Sequence, residues 1–256
     1  MSKSRKYPPV VMIHGGFCGP WLFDGFAEKF RAAGYAVQCP TLRFHDMVPP
    51  PEALGATGLE DYAADLEESL DALDGPPILV GHGLGGLLAQ LLAARKQVRA
   101  LVLLAPSAPW GVPPSSLSEI AAAQALLLRA GFWNQVLEPD LATASRHALD
   151  RYPPAERDRV AARLVPESGR AIFQTVHWGL DMSRASEVDA GKVSCPLLML
   201  AGGEDRINPP GTVERIAANY KNRATYEKIP GMSHWLVGEP GWEQVAARAL
   251  KWLASL

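Results

Sequence analysis

Short, wholly apolar runs alternate along the chain with longer stretches that are apolar on one side only. Val10 to Ile13, Ile78 to Val80, Ala100 to Leu104 and Leu197 to Leu200 are continuously apolar. Runs of this length, apolar on both faces, predict strands of a parallel sheet with helices on both sides. A further strand is predicted near Thr225 to Ile229. The clearest helical pattern sets Leu59, Tyr62, Ala63, Leu66, Leu70 and Leu73 on one face. It opens with a Thr57 hydroxyl that caps while Glu60 reaches back, and it stops at Gly75, Pro76 and Pro77. Other helices are expected from Trp21 to Ala33, Leu84 to Arg95, Pro210 to Tyr220 and Trp242 to Leu253. Strand and helix in alternation predict an α/β fold with a mostly parallel central sheet flanked by helices. The alternation lapses between Pro106 and Ser194, where helical stretches such as Leu117 to Arg129 and Pro154 to Leu164 occur without a strand pattern. That lapse predicts an insertion.

Composition narrows the picture. The 256 residues carry 25 Lys and Arg against 27 Asp and Glu, a formal charge of −2. No basic surplus exists to gather phosphates, so a nucleic-acid partner is not expected. The apolar share of 48% and the charged share of 20% are those of a globular chain, and a chain this long buries roughly three quarters of its unfolded surface. The basic start at Lys3, Arg5 and Lys6 precedes an apolar run too short for a signal peptide. No stretch approaches the roughly 18 apolar residues of a membrane helix, so no membrane partner is expected and the simplest reading is cytoplasmic. Cys18, Cys39 and Cys195 are odd in number and lack CxxC spacing, which predicts reduced thiols rather than a disulfide framework or a zinc site.

The residue types that carry chemistry gather in loops after predicted strands, where open α/β sheets bind ligands. These loops are His14-Gly15-Gly16-Phe17-Cys18-Gly19-Pro20-Trp21, then Gly81-His82-Gly83-Leu84-Gly85-Gly86, then Ala201-Gly202-Gly203-Glu204-Asp205-Arg206, and last Pro230-Gly231-Met232-Ser233-His234-Trp235. Four such pieces in this order resemble the α/β-hydrolase superfamily, serine esterases and lipases above all, over nearly the whole chain. The resemblance implies the α/β-hydrolase fold, with a core of residues 1–107 and 190–256 and a helical cap of 108–189 inserted after the sixth strand position. It implies Asp205 and His234 as acid and base, and backbone N–H groups of Phe17 and Leu84 as the oxyanion hole. Gly16, Cys18, Trp21, His82 and Trp178 would line the substrate pocket. It implies no metal or organic cofactor, and a small, apolar ester as substrate.

The departure from the family falls on the apex of the GxSxG elbow, where Gly83 stands in place of the nucleophile. No acyl-enzyme forms on glycine. The retained acid, base and oxyanion loop favour an inactivated serine esterase, nearly inert as the chain is written. Two rivals remain: a cofactor-independent lyase, hydratase or oxygenase that uses His234 as a base, and a ligand-binding pseudoenzyme. An aspartate nucleophile is absent, so alkyl-enzyme dehalogenase or epoxide hydrolase chemistry is unsupported. Cys18 is expected to be pocket lining rather than a substitute nucleophile, since no nearby cation is evident to depress its pKa. His14 and His82 are expected to hold loop backbones. Ser107 reads as a turn residue, and the Thr41 to Pro51 loop, with Arg43, His45 and Asp46, as a solvated one.

Overall fold

A computed structural model describes residues 7–256; the basic start at Lys3, Arg5 and Lys6 lies outside them. The strands are β1 (Val10–Ile13), β2 (Val37–Gln38), β3 (Ile78–His82), β4 (Ala100–Leu104), β5 (Val136–Leu137), β6 (Glu167–Ser168), β7 (Leu197–Gly202) and β8 (Ala224–Ile229). The helices are α1 (Asp24–Ala32), α2 (Leu59–Asp71), α3 (Leu84–Arg95), α4 (Leu117–Leu127), the single turn α5 (Leu141–Thr143), α6 (Pro154–Ala161), α7 (Gly169–Val176), α8 (Pro210–Ala218) and α9 (Trp242–Leu253).

Six strands form one sheet in the order β2-β1-β3-β4-β7-β8, and every neighbouring pair is parallel. Alternate residues of each strand face opposite sides, which is why unbroken apolar runs are needed. Val10, Met12, Val102, Leu104, Leu198 and Leu200 pack with Phe23, Phe26, Phe30 and Val245, the side covered by α1 and α9. Val11, Ile13, Leu101, Leu103, Leu197 and Met199 pack with Leu59, Leu66, Leu88 and Val213 on the other, under α2, α3 and α8. All five predicted strands are present, and the short edge strand β2 joins them.

The insertion follows β4 and ends before β7. It contains α4 to α7 and also a two-stranded antiparallel ladder of β5 and β6, pairing Val136 with Ser168 and Leu137 with Glu167. Two residues a side show no period in the sequence, so a strand that only its partner defines escapes pattern reading. The N-terminus of α2 also differs from expectation. Gly58, extended at φ −95° and ψ 176°, holds the cap position. Its N–H donates to Asp61 Oδ2 at 2.8 Å, while the Thr57 hydroxyl turns back to the Ala53 carbonyl at 3.0 Å. Glu60 is drawn outward to Arg95, 2.7 Å away. No helix among the described residues is long and apolar enough to cross a membrane.

Candidate active site

The elbow after β3 is built for close approach. Gly83 sits at φ 53° and ψ −120°, where a residue with a side chain is strained by about 1–3 kcal/mol and glycine is not. Its N–H donates to the Leu104 carbonyl at 3.1 Å, and its own carbonyl accepts from the Ser107, Gly86 and Leu87 N–H groups. At the second residue of α3, a Cβ on Gly85 would run into the Ile13 and His14 carbonyls. Glycine there lets the helix N-terminus press on the end of β1. A Cβ on Gly83, by contrast, would meet nothing closer than His234 Nε2 at 3.7 Å and Gly15 Cα at 3.9 Å.

His234 and Asp205 come from loops after β8 and β7. His234 Nδ1 donates to Asp205 Oδ2 at 2.9 Å, and both residues are buried. The other carboxylate oxygen, Oδ1, accepts from the Ile207 and Asn208 N–H groups at 2.7 and 2.9 Å. An aspartate that closes its own loop in this way has its direction set before any substrate arrives. The His234 carbonyl accepts from His82 Nε2 at 2.9 Å. Burial, and then the nearby His234, push His82 down to about 3, which keeps it neutral. Ser233 donates its N–H and hydroxyl to buried Glu239 at 2.6 and 2.7 Å, tying down the histidine loop. Trp235 stacks on Trp21 with ring centroids 6.1 Å apart, and the Arg163 guanidinium lies 4.4 Å from the Trp21 ring centroid.

The loop after β1 is held differently from expectation. Phe17 adopts the left-handed φ of 60°. Its N–H donates to Glu167 Oε2 at 3.2 Å, and its carbonyl accepts from the Val165 N–H at 2.9 Å. The Phe17 N–H, expected to face a substrate oxyanion, is therefore engaged by a carboxylate of the insertion. The N–H groups of Gly16 and of Leu84, the first residue of α3, have no acceptor among the described residues.

A model of the alpha/beta hydrolase family matches residues 10–248. The chain belongs to the alpha/beta hydrolase family. The pimeloyl-[acyl-carrier protein] methyl ester esterase of Chromobacterium violaceum is 31% identical over 89% of this chain and 87% of its own length. An enzyme of the same description from Neisseria meningitidis serogroup B is 28% identical over 81% of each. Among solved structures, the Paleococcus ferrophilus monoacylglycerol lipase superposes with a TM-score of 0.71 at 26% identity, covering 97% of this chain and 96% of the lipase. The Arabidopsis methylesterase MES16 shares the fold at a TM-score of 0.74 and 14% identity, covering 98% of this chain and all of that one.

In this alpha/beta hydrolase the structure gathers Gly83, His234, Asp205, Leu84, Gly16 and His82 around one point. Cys18 is buried in the core beneath the loop, and burial pushes its thiol far up, so it carries no thiolate. Trp21 reaches the site through Trp235. Trp178 packs against Trp110 at 5.7 Å, and no described contact joins it to Asp205 or His234. Ser107 stands beside the apex, its N–H on the Gly83 carbonyl and its Oγ 3.4 Å from Asn208 Nδ2.

Sequence reasoning missed Glu167 and the residues around it. Glu167 is wholly buried. Its Oε1 accepts from the Tyr62 hydroxyl and the Ser168 N–H at 2.7 Å each. Its Oε2 takes the Phe17 N–H and faces His45 Nε2 at 3.1 Å. Burial alone would raise the Glu167 carboxyl and lower the His45 ring. The pairing overrides burial on both, so Glu167 sits below its ordinary value and His45 above. The loop carrying His45 is solvated only in part: Asp46 to Pro49 are exposed, but His45 is buried on Glu167, and Arg43 is clamped to Asp61 and Asp65 of α2. A glutamate in the second half of the insertion gave no signal, because its side-chain partners His45 and Tyr62 lie more than a hundred residues away in sequence.

Proposed function

We propose that this chain carries the site of a carboxylic-ester hydrolase, with Asp205 and His234 as acid and base and with Gly83 at the position of the nucleophile. The supporting observation is that a Cβ on Gly83 would lie 3.7 Å from His234 Nε2, while Nδ1 of the same ring is bonded to Asp205 at 2.9 Å. A serine hydroxyl at that Cβ falls within hydrogen-bond reach of the base. With serine there, the hydroxyl oxygen attacks the ester carbonyl as His234 Nε2 takes its proton. His234 then returns that proton to the departing alcohol, and water repeats the two steps to release the acid. The oxyanion is received by the N–H of Leu84 together with that of Gly16, since the Phe17 N–H is engaged.

The substrate class in this reading is a small-alcohol ester of an apolar acyl chain. Leu84, within 3.8 Å of where a Gly16 Cβ would stand, and Trp21 on Trp235 offer apolar surface near the reacting point. The methyl ester esterases among the relatives favour a methyl ester. The chain as written is nearly inert. Hydrolysis of acyl methyl esters of graded length, compared with Gly83→Ser, tests the reading. Serine is expected to raise turnover by about a thousandfold or more. Two proteins equally inert on every chain length would overturn it.

A second reading rests on His234 Nε2, which has no partner among the described residues and faces a glycine. There the histidine works as a base without a covalent step, as in a lyase or hydratase. Exchange of solvent deuterium into a carbonyl substrate, abolished by His234→Ala and without ester cleavage, distinguishes it. Stoichiometric ligand binding that survives His234→Ala marks a pseudoenzyme instead.

A further inference from the structure

We propose that Glu167 is a positioning residue for the oxyanion loop: by drawing the Phe17 N–H to itself, it turns the preceding Gly16 N–H toward the reacting carbonyl. The inference rests on the ester-hydrolase reading for its chemistry, but not for its geometry.

Four donors saturate the Glu167 carboxylate: the Tyr62 hydroxyl, the Ser168 N–H, the Phe17 N–H and His45 Nε2. A carboxylate so fully used, and wholly inside the protein, is a poor base and a good fixed anchor. Its pull falls on the one residue of the loop in a conformation that side chains disfavour, Phe17 at φ 60°. The second polar group of Phe17, its carbonyl, is also held, by the Val165 N–H. Both ends of a strained residue are thus fixed by the same short segment of the insertion. Strain of this kind persists only where the surroundings over-determine it.

The consequence travels one peptide back. Gly15 Cα is 3.9 Å from the Cβ position of Gly83, so the Gly15–Gly16 peptide lies against the apex. Gly16 lacks the side chain that would hold its dihedrals, and a Cβ there would stand 3.3 Å from Glu167 Oε2. The direction of the Gly16 N–H is therefore set by what holds Phe17, and Glu167 is the charged member of that hold. His45 and Tyr62 act through Glu167, fixing it from the α2 side of the molecule.

The test compares Glu167→Gln with its parent in the Gly83→Ser background, using an acyl methyl ester and amide NMR of 15N-labelled protein. Glutamine keeps the shape but removes the charge, and one of its two ends donates where the carboxylate accepted. A misdirected N–H is expected to lower kcat about tenfold to a hundredfold with KM changed less than about threefold. The Gly16 and Leu84 amide resonances are expected to move along with that of Phe17. Glu167→Asp, which restores the charge, is expected to recover part of the lost kcat. Tyr62→Phe, which removes one donor from the far oxygen, is expected to reproduce the loss in smaller measure and serves if Glu167→Gln does not fold. An unchanged kcat, or an equal loss in kcat and in thermal stability with no recovery by aspartate, would overturn the proposal. Should Gly83→Ser itself be inert, the ester-hydrolase reading fails, and the amide spectra decide the positioning alone. Movement of the Gly16 resonance in Glu167→Gln then supports it, and a still Gly16 resonance overturns it.

Discussion

Gly83 holds a backbone conformation that costs it little and would cost any other residue something. At φ 53° and ψ −120° the Gly83→Ser variant gains a nucleophile and loses about 1–3 kcal/mol of stability, read as a lower denaturant midpoint beside the higher turnover. In the same background Asp205→Asn is expected to lower kcat about ten-thousandfold, as in the serine-protease precedent, because the amide supports the wrong imidazole tautomer. Steady-state kinetics at fixed pH checks it. Buried histidines set the acid limit. Burial first and His45 second push His14 down to about 4, and burial first and His234 second push His82 to about 3, from an ordinary 6.5. The unfolded chain then binds protons that the folded one refuses, so stability falls as pH drops below 6.5. By pH 5 each histidine costs about 2 kcal/mol, measurable as the difference in urea midpoint between pH 7 and pH 5. His45, raised by Glu167 against its own desolvation, has the opposite sign. Its contribution is whole below 6.5 and is lost as pH rises through its folded value.

At the scale of elements, the sheet and its helices follow from patterns carried in the chain. The five predicted strands are apolar on both faces, or half so at the β8 edge, and they formed where expected. What the patterns lacked was anything defined by a partner: the β5–β6 ladder, the β2 edge, and the shift of the α2 cap to Gly58. The packing of α3 shows how tight the elements are. Gly85→Ala sets a methyl against the Ile13 and His14 carbonyls, which are backbone and cannot give way. The variant is expected to fold poorly or melt far below the parent in a thermal scan, whereas Gly111→Ala, with nothing within 4 Å and φ 84°, is expected to lose about 1–2 kcal/mol from backbone strain alone. Phe26, wholly buried between Phe23, Phe30 and Trp242 where α1 meets α9, is expected to cost about 3–5 kcal/mol on truncation to alanine, read by chemical denaturation.

Across the whole molecule, insertion and core meet at several places, among them Thr212 of α8 against Ser115 and Glu119, Ser168 against Thr57, and Phe17 in the loop after β1. Val165 and Glu167 take the carbonyl and N–H of Phe17, Gln174 accepts the Leu59 N–H at 2.8 Å, and Arg163 meets Asp24 at 3.2 Å. The Phe17 amide lies in a loop yet is tied to a buried carboxylate. It is expected to exchange with solvent as slowly as the amides of β3 and β4, and to exchange fast in Glu167→Leu. Hydrogen-exchange NMR reads this directly, and fast exchange in the parent chain would show that insertion and core part readily.

The sequence alone determined five of the six strands of the sheet, its flanking helices and the four loops that carry Gly83, Asp205, His234 and the glycines after β1. Each of these is written in short-range signals: an apolar period, a glycine at a turn, an acid or a histidine just past a strand. Tertiary structure alone decided that the Phe17 N–H in the loop after β1 is engaged by Glu167. It brought Glu167, His45 and Tyr62 from three segments to one buried point, while Asp46 to Pro49 of the same loop as His45 stay exposed. The physical reason is the same in each case. A buried carboxylate must find its donors wherever the fold places them, and no local pattern records partners that only long-range packing brings within 3 Å.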